Sequence, residues 1–315
     1  MPKEKKDRFR LGTFLTLISG RYALVGLSVV ISVLLVSLSL YKVYCYVEKN
    51  VAHSSVAPKV VLKDRPAWMS DFLADQICAA AQPPGSHSAL NRDLLKDAKA
   101  LLENNERTSA WIREIRQLKL VYGKKAGDTL VIDCDFRAPI ALVQYQGFYY
   151  LVDGDGVALP ERYSQDQVSK IVFGRNGKMN IRVVTGIRSE RPPYAGQMWQ
   201  GDDLVAALDM VKILYDRPFA EEIVKVDVSN FNGREDAREA QLVLSTKRNT
   251  QIRWGRPVNS TDLAEVPTRQ KLTYMANLFK ETRRVDGGFS WVDLRFDTIR
   301  GPASEVKTAS ALIGR

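Results

Sequence analysis

The chain has 315 residues, a net charge of +10, 45% hydrophobic residues, three cysteines and two histidines. That length accommodates about two small domains beside one membrane segment, and three cysteines are too few for a disulfide framework. His53 and His87 lie in Ser/Pro/Gly/Ala-rich stretches, without the spacing of a metal site or a catalytic triad.

Residues 1–21 carry Lys3, Lys5, Lys6, Arg8, Arg10 and Arg21 against Glu4 and Asp7, and Tyr22–Tyr41 then runs without a charge. About 20 helical residues at ~1.5 Å each cover a hydrocarbon core of ~30 Å. The basic arm keeps the N-terminus in the cytoplasm and the remainder outside. The apolar run is longer than a signal peptide's, and Tyr44 before Cys45 is too bulky for lipoprotein processing, so residues 22–46 read as an uncleaved anchor. Residues 47–66 form a polar linker with Pro58 and Pro66 and a short strand at Val60–Leu62. A helix at Trp68–Gln82 presents Phe72, Leu73, Ile77 and Ala80 on one face, and Pro83-Pro84-Gly85 ends it. A second helix, Asn91–Asn104, groups Leu94, Leu95, Ala98, Leu101 and Leu102.

Strands at Trp111–Tyr122 and Thr129–Phe136 follow, and Leu130, Ile132, Cys134 and Phe136 share one face of the second. Pro139 lacks a backbone donor and marks a strand end, a bulge or an edge; Tyr145–Val152 then resumes extended structure. Asp153-Gly154-Asp155-Gly156 suits a hairpin turn before Val157–Leu159. It also opens like a calcium loop, but Val157 stands where a third oxygen ligand belongs.

From Ile140 on the pattern is mostly strands, with two amphipathic helices. Leu204–Tyr215 has Leu204, Val205, Leu208, Val211, Ile213, Leu214 and Tyr215 as its apolar positions. Pro267–Thr282 has Leu272, Met275, Ala276 and Phe279 inward, with Lys271, Lys280, Arg283 and Arg284 outward. Asp202 and Asp203 suit a helix N-terminus. Cys78 and Cys134 lie on apolar faces, as buried thiols or as a pair joined in an oxidising compartment.

Arg248, Arg253, Arg256, Arg269, Arg283 and Arg284, with Trp254 and Tyr274, have the residue types of a single-strand nucleic-acid surface. An extracytoplasmic location argues against that use. No GxSxG, HExxH or phosphate-cradling glycine loop is present, so neither a cofactor nor a metal is expected, and no small-molecule substrate.

Four blocks stand in order: Arg137, Pro139, Ile140 and Ala141 leading into the Tyr150–Gly156 hairpin; Val184-Thr185-Gly186; Ile252-Arg253-Trp254-Gly255; and Trp291-Val292-Asp293-Leu294-Arg295-Phe296. They resemble the FtsQ/DivIB family of cell-division proteins. Together they cover most of residues 110–300. Phe136 departs from the family's usual Glu, and Gly301-Pro302 stops the last strand early.

The resemblance implies an α+β chain: a single transmembrane helix, a POTRA domain (β-α-α-β-β) at residues 67–139, a mostly antiparallel β domain with two inserted helices at 140–301, and a tail at 302–315. It implies a non-enzymatic division scaffold of the cytoplasmic membrane, with partners of the FtsB/FtsL coiled-coil type. The partner's strand would add beside Phe296, Asp297, Thr298, Ile299 and Arg300. Of these, Thr298, Ile299 and Arg300 are the stronger contacts, since an exposed Ile on an edge needs covering. Asp293 and Arg295 share a face and suit an ion pair. The competing readings are a POTRA-containing component of a secretion or envelope-assembly system and, less favoured, an envelope hydrolase.

Overall fold

Helix α1, Phe9–Val47, starts well before the charge-free run, and its Val25–Val47 portion is long and apolar enough to cross a membrane. Its 23 residues cover about 35 Å. Ser28, Ser32 and Ser39 each donate their hydroxyl at 2.8 Å to a carbonyl three or four residues back, which satisfies polar groups on an apolar helix. The computed structural model describes residues 9–47, 58–83, 93–121, 129–168, 181–260 and 264–302, and for residues 9–24 only the helical path. Residues 1–8 of the basic arm, residues 48–57 of the linker with His53, His87, and the tail beyond 302 lie outside the described residues.

The chain is a mixed α+β protein with a sheet-rich body. It divides into two compact units, residues 1–63 with 81–99 and 118–132, and residues 64–80 with 100–117 and 133–315. Strand β1 (Lys59–Leu62) is followed by helices α2 (Asp71–Ala80), α3 (Asp93–Asn104) and the single turn α4 (Glu106–Ser109), then by β2 (Ile112–Val121) and β3 (Thr129–Phe136). The order is the expected β-α-α-β-β with one added turn. The sheet runs β1-β3-β2, with β1 parallel to β3.

In the first unit Val60, Ala81, Leu94, Ala98, Leu130 and Ile132 are buried. Helix α2, which falls in the second unit, starts three residues later than the periodicity predicts, because the Ser70 hydroxyl accepts the Leu73 N–H at 3.2 Å and sets the cap there. Its inward face is Leu73, Ala74 and Ile77, whereas Phe72, expected inside, is 72% exposed.

The second unit holds an eight-stranded sheet ordered β11-β10-β9-β8-β7-β4-β5-β6. Its strands are β4 (Pro139–Tyr145), β5 (Phe148–Asp153), β6 (Ala158–Ser164), β7 (Arg182–Thr185), β8 (Ile223–Asp227), β9 (Leu242–Thr246), β10 (Gln251–Gly255) and β11 (Trp291–Asp293). Antiparallel pairings outnumber parallel ones by four to three. Helix α5 (Asp202–Leu214) lies between β7 and β8 in sequence, and α6 (Thr268–Thr282) between β10 and β11. Leu204, Leu208, Val211, Leu214, Met275 and Leu278 join Val184, Val226, Leu244, Ile252, Trp254 and Val292 in one core.

Several local expectations change. Tyr145–Val152 is not one strand: Gln146 (φ 47°) and Gly147 (φ 83°) make a two-residue hairpin between β4 and β5. Val205 and Tyr215 face outward from α5, at 55% and 62% exposure. Lys271, expected outward, is buried. It donates to Glu265 at 2.6 Å and to the Trp254 carbonyl at 2.7 Å, and burial lowers its pKa against the raising effect of Glu265. Lys271, Met275 and Leu278 are the buried residues of this helix and follow one stripe at i, i+4 and i+7.

Candidate functional site

The Asp153–Gly156 hairpin is built for structure. Asp153 is fully buried; its Oδ1 accepts the backbone N–H groups of Asp155 (2.9 Å) and Val157 (2.8 Å), and its Oδ2 pairs with Arg137 Nη1 at 2.8 Å. Both carboxylate oxygens are thereby engaged by the protein. Arg137 also donates its backbone N–H to the Trp111 carbonyl at 2.9 Å, and Arg113 pairs with Asp155 at 2.7 Å. Pro139 opens β4 at a register shift, where a missing donor is tolerated. The Val-Thr-Gly block is equally geometric: Gly186 has φ +82°, and a Cβ there would lie 2.3 Å from the Ser229 backbone nitrogen.

The sheet ends at β6 on one side and at β11 on the other. The sequence suggested extended structure from Trp291 through Arg300, but β11 stops at Asp293. The cause is local. Asp293 Oδ1 accepts the Arg295 backbone N–H at 3.1 Å, and Asp293 Oδ2 takes Arg295 Nη2 at 2.7 Å; a side chain that bonds two residues ahead draws the chain out of the strand. The expected pair of Asp293 and Arg295 therefore exists and is largely buried rather than exposed. Its hydrogen bonds raise the Arg295 pKa in spite of burial.

Residues 294–300 then curl back along β11 and are pinned throughout. Leu294 N–H donates to the Arg253 carbonyl (3.0 Å), the Arg295 carbonyl accepts from Val266 (3.2 Å), and Arg295 Nη1 reaches the Arg238 carbonyl (2.6 Å). Tyr274 donates its hydroxyl to the Asp297 carbonyl at 2.5 Å. Arg300 and Asp293 then exchange both backbone bonds, at 2.8 and 3.2 Å, in an antiparallel bridge. The candidate partner-binding residues thus form one short bend. Phe296 is half-buried, with Arg300 over its ring at 3.5 Å and Arg295 at 5.5 Å. Asp297, Thr298 and Arg300 are exposed. Ile299 is not the bare edge residue expected: it is half-buried and packs on the core.

Arg253, Tyr274 and Val266 hold this bend, and nothing in their spacing marked them for it. Among the arginines read as a basic surface, Arg248 pairs with Glu222 (2.9 Å), Arg253 with Glu239 (3.7 Å) and Arg284 with Asp286 (2.8 Å). A cavity of about 310 Å³ is lined by Asp227, Asn230, Glu235, Asp236, Glu239 and Arg253, among others. Among the described residues no His, Cys, Asp and Glu side chains gather as a metal site. No protein-family model matches the chain, and no curated protein matches its sequence.

Proposed function

We propose that the protein is a non-enzymatic, single-span membrane scaffold of the bacterial division machinery, with its N-terminus in the cytoplasm and its other modules exported. Its partners are membrane-anchored coiled-coil proteins of the FtsB/FtsL type, recruited by strand addition at the C-terminal edge of the sheet. The β-α-α-β-β order of residues 59–136 supports reading that segment as a POTRA domain, and the helix Val25–Val47 supports the anchor.

The observation that carries the reading is the bridge between Asp293 and Arg300. It commits the N–H and C=O of Arg300 to β11, so strand alternation turns those of Ile299 and Gly301 the other way. Beyond this single bridge the main-chain groups of Ile299 and Gly301 form a short outward row of donors and acceptors. Such a row is what strand addition uses, with main-chain bonds for affinity and alternate side chains for selectivity. Pro302, which cannot donate, closes the row and keeps it short.

A fluorescent fusion on the cytoplasmic N-terminus tests the reading. A midcell band that constricts with the septum is expected. Gly301→Pro, which removes one outward donor, is expected to keep the band and to lose co-purification of the coiled-coil partner. An even envelope signal would overturn the division role and favour the secretion or envelope-assembly alternative.

A further inference from the structure

Four large apolar side chains of the second unit remain exposed in one neighbourhood: Trp68 at 40%, Phe72 at 72%, Tyr194 at 74% and Met198 at 54%. Trp68 stacks on the buried Trp111 with ring centroids 5.9 Å apart, and Phe72, four residues on, lies in the first turn of α2. Ala110, the neighbour of Trp111, touches the loop carrying the other two, since a Cβ on Gly196 would lie 3.6 Å from it. The Gly196 N–H donates to the Ala158 carbonyl at 2.7 Å, and the Ala158 N–H donates in turn to the Gln197 carbonyl at 2.9 Å. Met198 forms a bridge with Val157. The loop is thus fixed to the sheet, and its apolar side chains are held outward.

We infer that this patch rests on the lipid surface of the membrane that α1 crosses, with Trp68 and Phe72 entering the headgroup and acyl boundary. Three observations select lipid as the occupant. Trp68 follows the end of α1 by about 20 residues, a reach of at most ~70 Å even fully extended, so the tether keeps the patch at a high effective concentration beside the bilayer. The rim is charge-matched, Arg65 with Asp71 at 2.6 Å and Arg113 with Asp155 at 2.7 Å; that suits a zwitterionic interface better than a charged peptide. Trp, Tyr and Phe are also the side chains favoured where apolar and wet regions meet, and α1 ends in the exposed Tyr41, Tyr44 and Tyr46. The inference rests on α1 being the anchor proposed above, and not on strand addition at residues 299–301.

The test uses the full chain in phosphatidylcholine vesicles whose acyl chains are brominated, with tryptophan emission as the readout. The helix α1 contains no tryptophan, and Trp111, Trp199 and Trp254 are buried, so quenching reports on Trp68 or Trp291. Quenching of the wild type is expected, falling to the level of unbrominated vesicles in Trp68→Phe and reduced in Phe72→Glu, whose side chain is exposed and leaves the fold intact. No quenching of the wild type, quenching that survives in Trp68→Phe, or cross-linked dimers through the patch without quenching would each overturn the inference. Flotation with the vesicles after an alkaline wash reads the anchor separately: loss of flotation removes the anchor, and the patch with it, whereas flotation without quenching removes the patch alone.

Discussion

Replacing Arg137 with Met should destabilise the second unit by about 3 kcal/mol, because it strands a buried carboxylate. Asp153 has no solvent exposure, and Arg137 is its one cationic partner, at 2.8 Å with 18% side-chain exposure. Breaking a buried pair by removing one member typically costs ~3–5 kcal/mol. The lower end applies here, since Asp153 Oδ1 keeps its two backbone donors, Asp155 and Val157. Met preserves most of the side-chain volume, so a lost cavity contributes little. Urea unfolding of the full chain in detergent micelles, followed by tryptophan emission, gives the free energy, and Asp153→Asn provides the second arm. If the pair sets the cost, the double variant is less destabilised than the sum of the two single ones. A loss under about 1 kcal/mol in Arg137→Met, or strict additivity, would refute the role given to this pair.

Three further outcomes follow from other sites. Gly186→Ala is expected to cost at least about 2 kcal/mol, from a positive φ and a forced displacement of Ser229; Ser229→Gly should restore little of it, because the nearest atom is backbone, and thermal unfolding reads both. Burial pushes the Asp286 pKa up, but donors from Arg284, Gly288 and Thr250 outweigh it and hold the group below its ordinary 3.8. A carboxyl depressed in the folded state adds stability above pH 3.8 that is lost as the pH falls below it, so Asp286→Asn should be less stable at neutral pH and flatten the acid limb of the stability curve. Burial, with Asp133 adding to it, pushes the Cys134 thiol up to about 12; maleimide at neutral pH should label Cys134 only after unfolding, and rapid native labelling would contradict the burial.

The strongest period-two pattern, Thr129–Phe136, gave a strand with the same ends, because alternating burial is written directly in residue type. Helix ends were less legible, since a capping hydroxyl such as Ser70 overrides where the apolar stripe begins. Gln146-Gly147 was missed because the aromatics on both sides read as one extended run, although a residue pair ending in Gly is a hairpin signal in its own right. Lys271 and Val205 exchanged sides against residue type: a partner 17 residues away, the Trp254 carbonyl, holds the lysine inside, and Val205 borders a surface cavity of about 410 Å³. For the edge at 294–300, the Asp293–Arg295 pairing was legible two residues apart, but the bonds from Arg253, Val266 and Tyr274 are long-range and have no local signature.

That distinction bears on how the edge works. A strand that continued straight from Asp293 would present a long, flat row of donors and acceptors, which is an aggregation hazard as much as a binding site. The chain instead turns at Arg295, packs a half-buried Ile299 on the core and returns to pair with Asp293 at Arg300, and Pro302 lacks a donor. By strand alternation Ile299 and Gly301 direct main-chain groups outward, with Asp297 and Thr298 exposed beside them. Two pairing residues supply too few main-chain bonds, at about 1 kcal/mol each net, to hold a partner alone. Under the proposed strand addition, recruitment at this edge needs a second attachment, which a partner anchored in the same membrane would supply. Partner peptides lacking their membrane segment should bind the edge far more weakly than the anchored protein, as titration against the full chain in vesicles would read; equal affinity would show that contacts beyond the 299–301 row dominate.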